Sequence, residues 1–186
     1  QEDLWHDLVS EDAKAGEIRL QKHRKNWVLH VTVEYPVEEP ATDGDATHIG
    51  LDIGENALIT GCALKDGSPT DPFVCSGSRA KHLRKEMHTT LKRLQERDAS
   101  EWRIEDRFSH YQNALTDIVE KASRQVVEYA TQFENPVLVM EDLTYIRERL
   151  DYGTYMNRRL HSWAFARLQG RIEDKATEAG IPVEYV

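Results

Sequence analysis

His48-Ile49-Gly50-Leu51-Asp52-Ile53-Gly54 and, much later, Val137-Leu138-Val139-Met140-Glu141-Asp142 are the two stretches whose reading decides the fold. Each is a short apolar run of the kind that forms a buried strand. In the first, Ile49, Leu51 and Ile53 fall on one face by the two-residue period of a strand, and Asp52 falls on the other. A carboxylate in such a strand costs free energy unless it is hydrogen-bonded or bound to a cation, so Asp52 needs a partner. A bland alternative stays open, in which Asp52 caps the turn that follows. The second run delivers Glu141 to its C-terminal end, where open α/β sheets place their ligand sites. Asp142 beside it reads as a loop-capping residue. Two such carboxylates on neighbouring strands would suit a hard divalent cation, with waters and a substrate phosphate completing the shell.

Between these runs the pattern changes period. Three strands, His48 to Ile53, Ala57 to Leu64 and Asp71 to Cys75, are separated by turn residues at Gly54–Asn56 and Asp66–Pro69 and predict an antiparallel meander. A helix over about Ser78 to Arg97 carries Leu83, Met87, Leu91 and Leu94 on one face and Lys81, Arg84, Lys85, His88 and Lys92 on another. A longer helix over about Arg107 to Phe133 repeats Tyr111, Leu115, Ile118, Ala122, Val126 and Ala130 at spacings of three and four. After the strand Val137 to Met140, a third helix from about Asn157 to Ala179 closes at Gly180, and a last strand runs from Val183 to Val186. Strands that alternate with helices in this way predict an α/β fold with a mixed sheet flanked by helices.

Upstream, Gly16 to Tyr35 reads as a hairpin turning at Lys22 to Asn26. Two strands alone are marginal in water, so the hairpin is expected to belong to a partial N-terminal β domain over residues 1–37. Residues 38–47, with Pro40, Gly44 and several acids, read as a linker, leaving 48–186 as the main domain.

The chain has 186 residues, a formal net charge of -9 and two cysteines. Cys62 and Cys75 form no CxxC pair and read as small apolar fillers of strands. No stretch reaches the length of a membrane span, and Gln1 to Ser10 is not a basic-then-apolar leader, so a cytoplasmic protein with no membrane partner is expected. A negative total is unusual for a nucleic-acid protein, but its distribution is uneven. From Arg79 to Asp98, seven basic residues face three acidic ones. The acidic excess elsewhere suits a protein that works in concentrated salt. Eight histidines form no HxxxH or HExxH pattern.

The ordered set of GLDIGENALIT, the basic helix, RFSHYQNALTDIVEKASRQVVEYA, VLVMEDL and RRLHSWAFARLQGRIEDKATEAGIPVEYV resembles the RuvC-like core of OrfB/TnpB-type transposon proteins, relatives of type V CRISPR nucleases. The hairpin is similar to the end of that family's wedge-like barrel. The resemblance implies an RNase H-like fold that cuts DNA under the guidance of an RNA from the transposon end, with three acids and Mg²⁺. The first acid falls on Asp52 and the second on Glu141, as catalytic and metal-binding residues. The third matches nothing in this sequence; in the family it follows a Cys-rich zinc ribbon expected beyond Val186, so the core is expected to be incomplete at its C-terminus and zinc to belong only to that ribbon. DNA and guide RNA are the implied partners, with Lys81, Arg84, Lys85, Lys92, Arg93, Arg158 and Arg159 as phosphate contacts. Trp163 and Phe165 fit core packing better than base stacking.

Two other functions compete. One is a non-catalytic nucleic-acid-binding remnant of a transposase gene. The other is an actin-like ATPase or sugar kinase, which also uses a strand-Asp-x-Gly hairpin. That class needs a second phosphate loop and a Gly-rich adenosine site, and the ten glycines supply neither.

Overall fold

The computed structural model describes residues 13–23, 26–34, 46–142 and 155–186, without the side chains of residues 23 and 155–165. Most of the expected linker, 38–47, lies outside the described residues. The chain divides into two compact units, Gln1–Glu39 and Pro40–Val186.

In the first unit, β1 (Lys14–His23) pairs antiparallel with β2 (Asn26–Glu34). The pairing runs to His23–Asn26, so the strands reach further into the expected turn than the sequence suggested. Ile18, Leu20, Trp27 and Leu29 share a face through the pairs Ile18–Val31, Leu20–Leu29 and Lys22–Trp27, and all four are exposed. The Lys22 ammonium sits 5.8 Å from the Trp27 ring centre, a favourable cation–π placement.

The second unit is built on a five-stranded mixed sheet of β3 (Thr47–Asp52), β4 (Ala57–Lys65), β5 (Ser68–Ser76), β6 (Pro136–Met140) and β7 (Val183–Tyr185). Across the sheet the order is β5-β4-β3-β6-β7. The meander is as expected: β3, β4 and β5 are antiparallel neighbours. Its second turn is tighter than the sequence suggested, because Asp66 and Gly67 both take positive φ (51° and 74°) and Lys65 pairs directly with Ser68. That is the backbone a two-residue hairpin with the sheet's own twist requires, and Asp-Gly supplies it at low cost. Pro69 and Pro72 therefore lie within β5, an edge strand where a missing N–H is tolerated. A register shift leaves Asp71 at φ 49°, and the Tyr129 hydroxyl donates to its carbonyl.

Three helices follow the apolar stripes. The first, α1 (Ser78–Glu96), and the second, α2 (Glu101–Ala130), form a helical hairpin around Met87, Leu91, Tyr111 and Leu115. Helix α2 starts six residues before the expected Arg107, behind Ser100, and ends before Phe133. Its first two turns are largely exposed and only Ile104 packs toward α1, so the apolar stripe there is too thin to read. Helix α3 (Tyr155–Glu178) presents Leu168, Ile172 and Ala176, all fully buried. It ends at Gly180 (φ 69°), with the Ile181 N–H reaching back to the Ala176 carbonyl at 2.8 Å.

Helices α2 and α3 cover one face of the sheet. Ile49, Leu51, Ile59, Ala63, Leu138 and Met140 from the strands join Val119, Ala122, Val126, Leu168, Ile172 and Ala176 in one core. Glu120 braces the two helices from the side, 2.8 Å from Arg171 and 2.7 Å from Lys175. The Lys175 hydrogen bond, with help from the Arg171 and Arg167 charges, holds its carboxyl below the usual range.

Candidate functional site

Strands β3 and β6 are parallel, and their last paired residues are Leu51 and Met140. Asp52 and Glu141 are the next residues on each. In a parallel pair, register partners point to the same face and the strands lie about 4.8 Å apart. With Leu51 and Met140 buried on the helix-covered face, Asp52 and Glu141 stand side by side on the opposite face, both exposed. From here the chain leaves in opposite directions: β3 leads to β4 on one side, β6 through α3 to β7 on the other. A crevice at the carboxyl ends of such strands is where α/β sheets bind ligands.

The crevice is present. A cleft of about 560 Å³ is lined by Gly50, Asp52, Thr60, Cys62, Val139, Glu141 and Val186, among others. Cys62 looks into it, while Cys75 packs against the core, where burial pushes its thiol pKa up; both are free thiols. Cys75 is thus the strand filler the sequence suggested, and Cys62 lines the cleft instead. Among the described residues, no group of three or more His, Cys, Asp or Glu gathers closely enough to hold a metal ion. Two adjacent carboxylates opening on a cleft are still the donor chemistry a hard divalent cation takes, with water or phosphate oxygens filling its other positions.

The surroundings fix the two acids differently. After Asp52, the Gly54 N–H bonds the Leu58 carbonyl at 3.3 Å and closes the β3–β4 turn. That turn is seated on the start of α1: the Gly77 N–H bonds the Asn56 carbonyl, and Lys81 Nζ lies 2.9 Å from Asn56 Oδ1. A Cβ at Gly77 would come within 2.4 Å of the Glu55 carbonyl, so only glycine allows this approach. Glu141 is held through its main chain. The Asp142 N–H bonds Val186, extending the β6–β7 ladder, and the Glu141 carbonyl accepts from Gln169 Nε2 at 2.8 Å. Asp142 is exposed next to Tyr185, whose phenol pKa is pushed up to about 12, first by burial and then by its hydrogen bond to Glu173.

The basic positions divide. Lys81, Lys85, Lys92 and Arg93 are exposed on α1, with Lys92 loosely paired to Glu96 at 3.8 Å. Arg84 is not with them. It is 9% exposed, turned inward one helical turn before Met87, and burial pushes its guanidinium pKa down while the nearby Glu55 charge opposes that shift. Its four-residue spacing from Ala80 places it on the flank of the buried stripe, which corrects its expected place on the solvent face. The side chains of Arg158, Arg159, Trp163 and Phe165 lie outside the described residues. Thr60 and Gln169 escaped the sequence reading, as did the place of Cys62 on the cleft. For Gln169 a signal existed, because a polar residue directly beside Leu168 on a core-facing helix needs a buried partner.

The sequence matches no family model. It is 25% identical over 180 residues to a TnpB-like protein of Methanocaldococcus jannaschii, a match that takes in 93% of this chain and 62% of the relative. The chain therefore spans less than two thirds of that relative's length. The fold is similar to solved structures of a Cas12f1–sgRNA–target DNA complex (TM-score 0.58, 18% identity, 91% of this chain and 41% of that one) and of a CRISPR-Cas12f ternary complex (TM-score 0.55, 17% identity, 100% and 38%). The resemblance to OrfB/TnpB-type proteins read from the motifs is borne out by a curated relative of that name. No described helix is long and apolar enough to cross a membrane.

Proposed function

We propose that this chain is the RNase H-like nuclease core of an OrfB/TnpB-type, RNA-guided DNA endonuclease, with Asp52 and Glu141 as its metal-binding acids. The observation that carries the reading is the Leu51–Met140 register, which sets the two carboxylates side by side at the mouth of one cleft. The likeness to a TnpB-like protein and to Cas12f folds supports the family. DNA and a guide RNA are its partners on this reading, and Mg²⁺ its cofactor.

Asp52 and Glu141 would hold the cation from adjacent strands, and the cleft leaves room for a phosphodiester beside them. Mg²⁺ held there would supply the Lewis acidity that activates a water and stabilises a leaving 3′ oxygen. The exposed Lys81, Lys85, Lys92 and Arg93 take phosphates along α1 without reading sequence.

The test is a titration of the chain with Mn²⁺, read by electron paramagnetic resonance, together with Mg²⁺-dependent cleavage of DNA in the presence of transposon-end RNA. Asp52→Asn and Glu141→Gln should each weaken Mn²⁺ binding and abolish any cleavage that these two acids support without the third. Binding of nucleic acid with no cleavage at any Mg²⁺ concentration would favour the non-catalytic reading instead. Unchanged Mn²⁺ affinity in both variants would refute the site.

A further inference from the structure

Gln169 is 9% exposed and sits beside Leu168 on the core-facing side of α3. A buried amide there must be satisfied, and its Nε2 donates to the Glu141 main-chain carbonyl at 2.8 Å. The strand ladder explains why that carbonyl is available. Along a strand, successive carbonyls point to opposite neighbours. The Met140 carbonyl accepts from the Val186 N–H on the β7 side, so the Glu141 carbonyl points toward β3. There the last registered pair is Leu51–Met140 and β3 ends at Asp52, so no strand amide meets it. Gln169 takes the place of the missing strand and ties the end of β6 to a helix whose next turns, Ile172 and Ala176, are fully buried.

We propose that Gln169 is a positioning residue: it fixes the backbone from which the Glu141 carboxylate projects and so sets the spacing of the Asp52–Glu141 pair. This rests on the metal-binding reading above. Groups that orient metal ligands from behind typically change metal affinity by roughly tenfold to a hundredfold when removed. Replacing the amide with an apolar side chain of similar length leaves the Glu141 carbonyl without its donor and frees the strand end.

The experiment measures Mn²⁺ affinity of the chain and of four variants, with thermal midpoints recorded for each. Gln169→Met keeps the volume and removes the donor; a loss of about tenfold in affinity is expected. Gln169→Asn withdraws the amide by one methylene and should give a smaller loss, and it decides the matter if Gln169→Met does not fold. Ile172→Ala, one turn along the same helix, should lower the midpoint more while keeping wild-type affinity. Wild-type affinity in the folded Gln169 variants would overturn the proposal while leaving the metal site standing. An equal loss in Ile172→Ala would also overturn it, because affinity would then follow overall stability. If Asp52→Asn binds Mn²⁺ like wild type, the metal-binding reading fails and the positioning role falls with it.

Discussion

Two glycines one rung apart should respond in opposite ways to the same substitution. Gly61 on β4 faces Leu51 on β3, and Gly50 faces Cys62. A Cβ on Gly61 would stand 2.6 Å from Leu51 Cδ2 and 2.7 Å from the Gly50 carbonyl oxygen, whereas a Cβ on Gly50 meets nothing within 4 Å. The Leu51 methyl is the end of a rotatable side chain, but the Gly50 oxygen is backbone, so Gly61→Ala must push β3 sideways. Overpacking of that kind costs about 1–3 kcal/mol. Alanine in place of glycine recovers about 0.4–1 kcal/mol by narrowing the unfolded ensemble, where the native backbone tolerates it. Gly61→Ala should therefore be destabilised by about 1–2 kcal/mol, a fall of roughly 2–8 °C in thermal midpoint for a unit of this size. Gly50→Ala should be neutral or slightly more stable. Urea unfolding followed by far-ultraviolet circular dichroism compares the two midpoints directly. Because β3 ends in Asp52, Gly61→Ala should also weaken Mn²⁺ binding. A Gly61→Ala midpoint equal to or above that of Gly50→Ala would refute the close packing of β3 on β4 and the reasoning built on it.

Other perturbations separate packing from charge. Leu138→Ala empties a fully buried position at the centre of the sheet and should cost about 2–5 kcal/mol in the same urea assay. Glu120→Gln removes the brace to Arg171 and Lys175, worth on the order of 1 kcal/mol for a half-exposed network. Since the folded state holds the Glu120 carboxyl pKa down, that contribution is present above its unfolded pKa, about 4.3, and is lost as pH falls through the lower folded value; stability of the two proteins should converge in acid. The Tyr185 phenol works in the opposite sense. Its folded pKa, about 12, is raised, so its contribution is complete below about pH 10 and disappears as pH rises toward 12, and Tyr185→Phe should flatten that alkaline loss of stability. On α1, Lys85→Ala should leave the thermal midpoint unchanged and reduce the salt dependence of oligonucleotide binding by about one counterion, while Arg84→Ala should mainly lower the midpoint.

The sequence carried the meander, the three helical stripes and the two acid-tipped strands because each is written in local periodicity. Ile49, Leu51 and Asp52 alternate as a half-buried strand must, and Leu168, Ile172 and Ala176 recur as a core-facing helix must. What was not legible is what depends on partners far along the chain. Only its spacing from Ala80 and Met87 told Arg84 from Lys85 locally, a signal masked by the basic side of α1; the inward turn is completed by what packs against it. The early start of α2 was hidden because its first turns bury little beyond Ile104. The adjacency of Asp52 and Glu141 was expected from their strands, but the register that makes them side by side, and the Gln169 amide behind it, exist only once β6 has come to lie along β3. That association also lets the Thr47 hydroxyl donate to the Glu134 carbonyl, 87 positions along the chain.

The register of β3 against β6 is a discrete variable. A slip of one residue would turn Glu141 onto the helix-covered side and Met140 out to water, and the core around Leu138 and Met140 forbids it. The spacing between the two carboxylates can therefore be strained by tenths of an ångström but not drifted to a new value. Substitutions spread through the hydrophobic interior will dilute the population of folded molecules long before they shift that register in those that remain. Accumulated change in this chain should show itself as less folded protein, with the β3–β6 register of each surviving molecule intact.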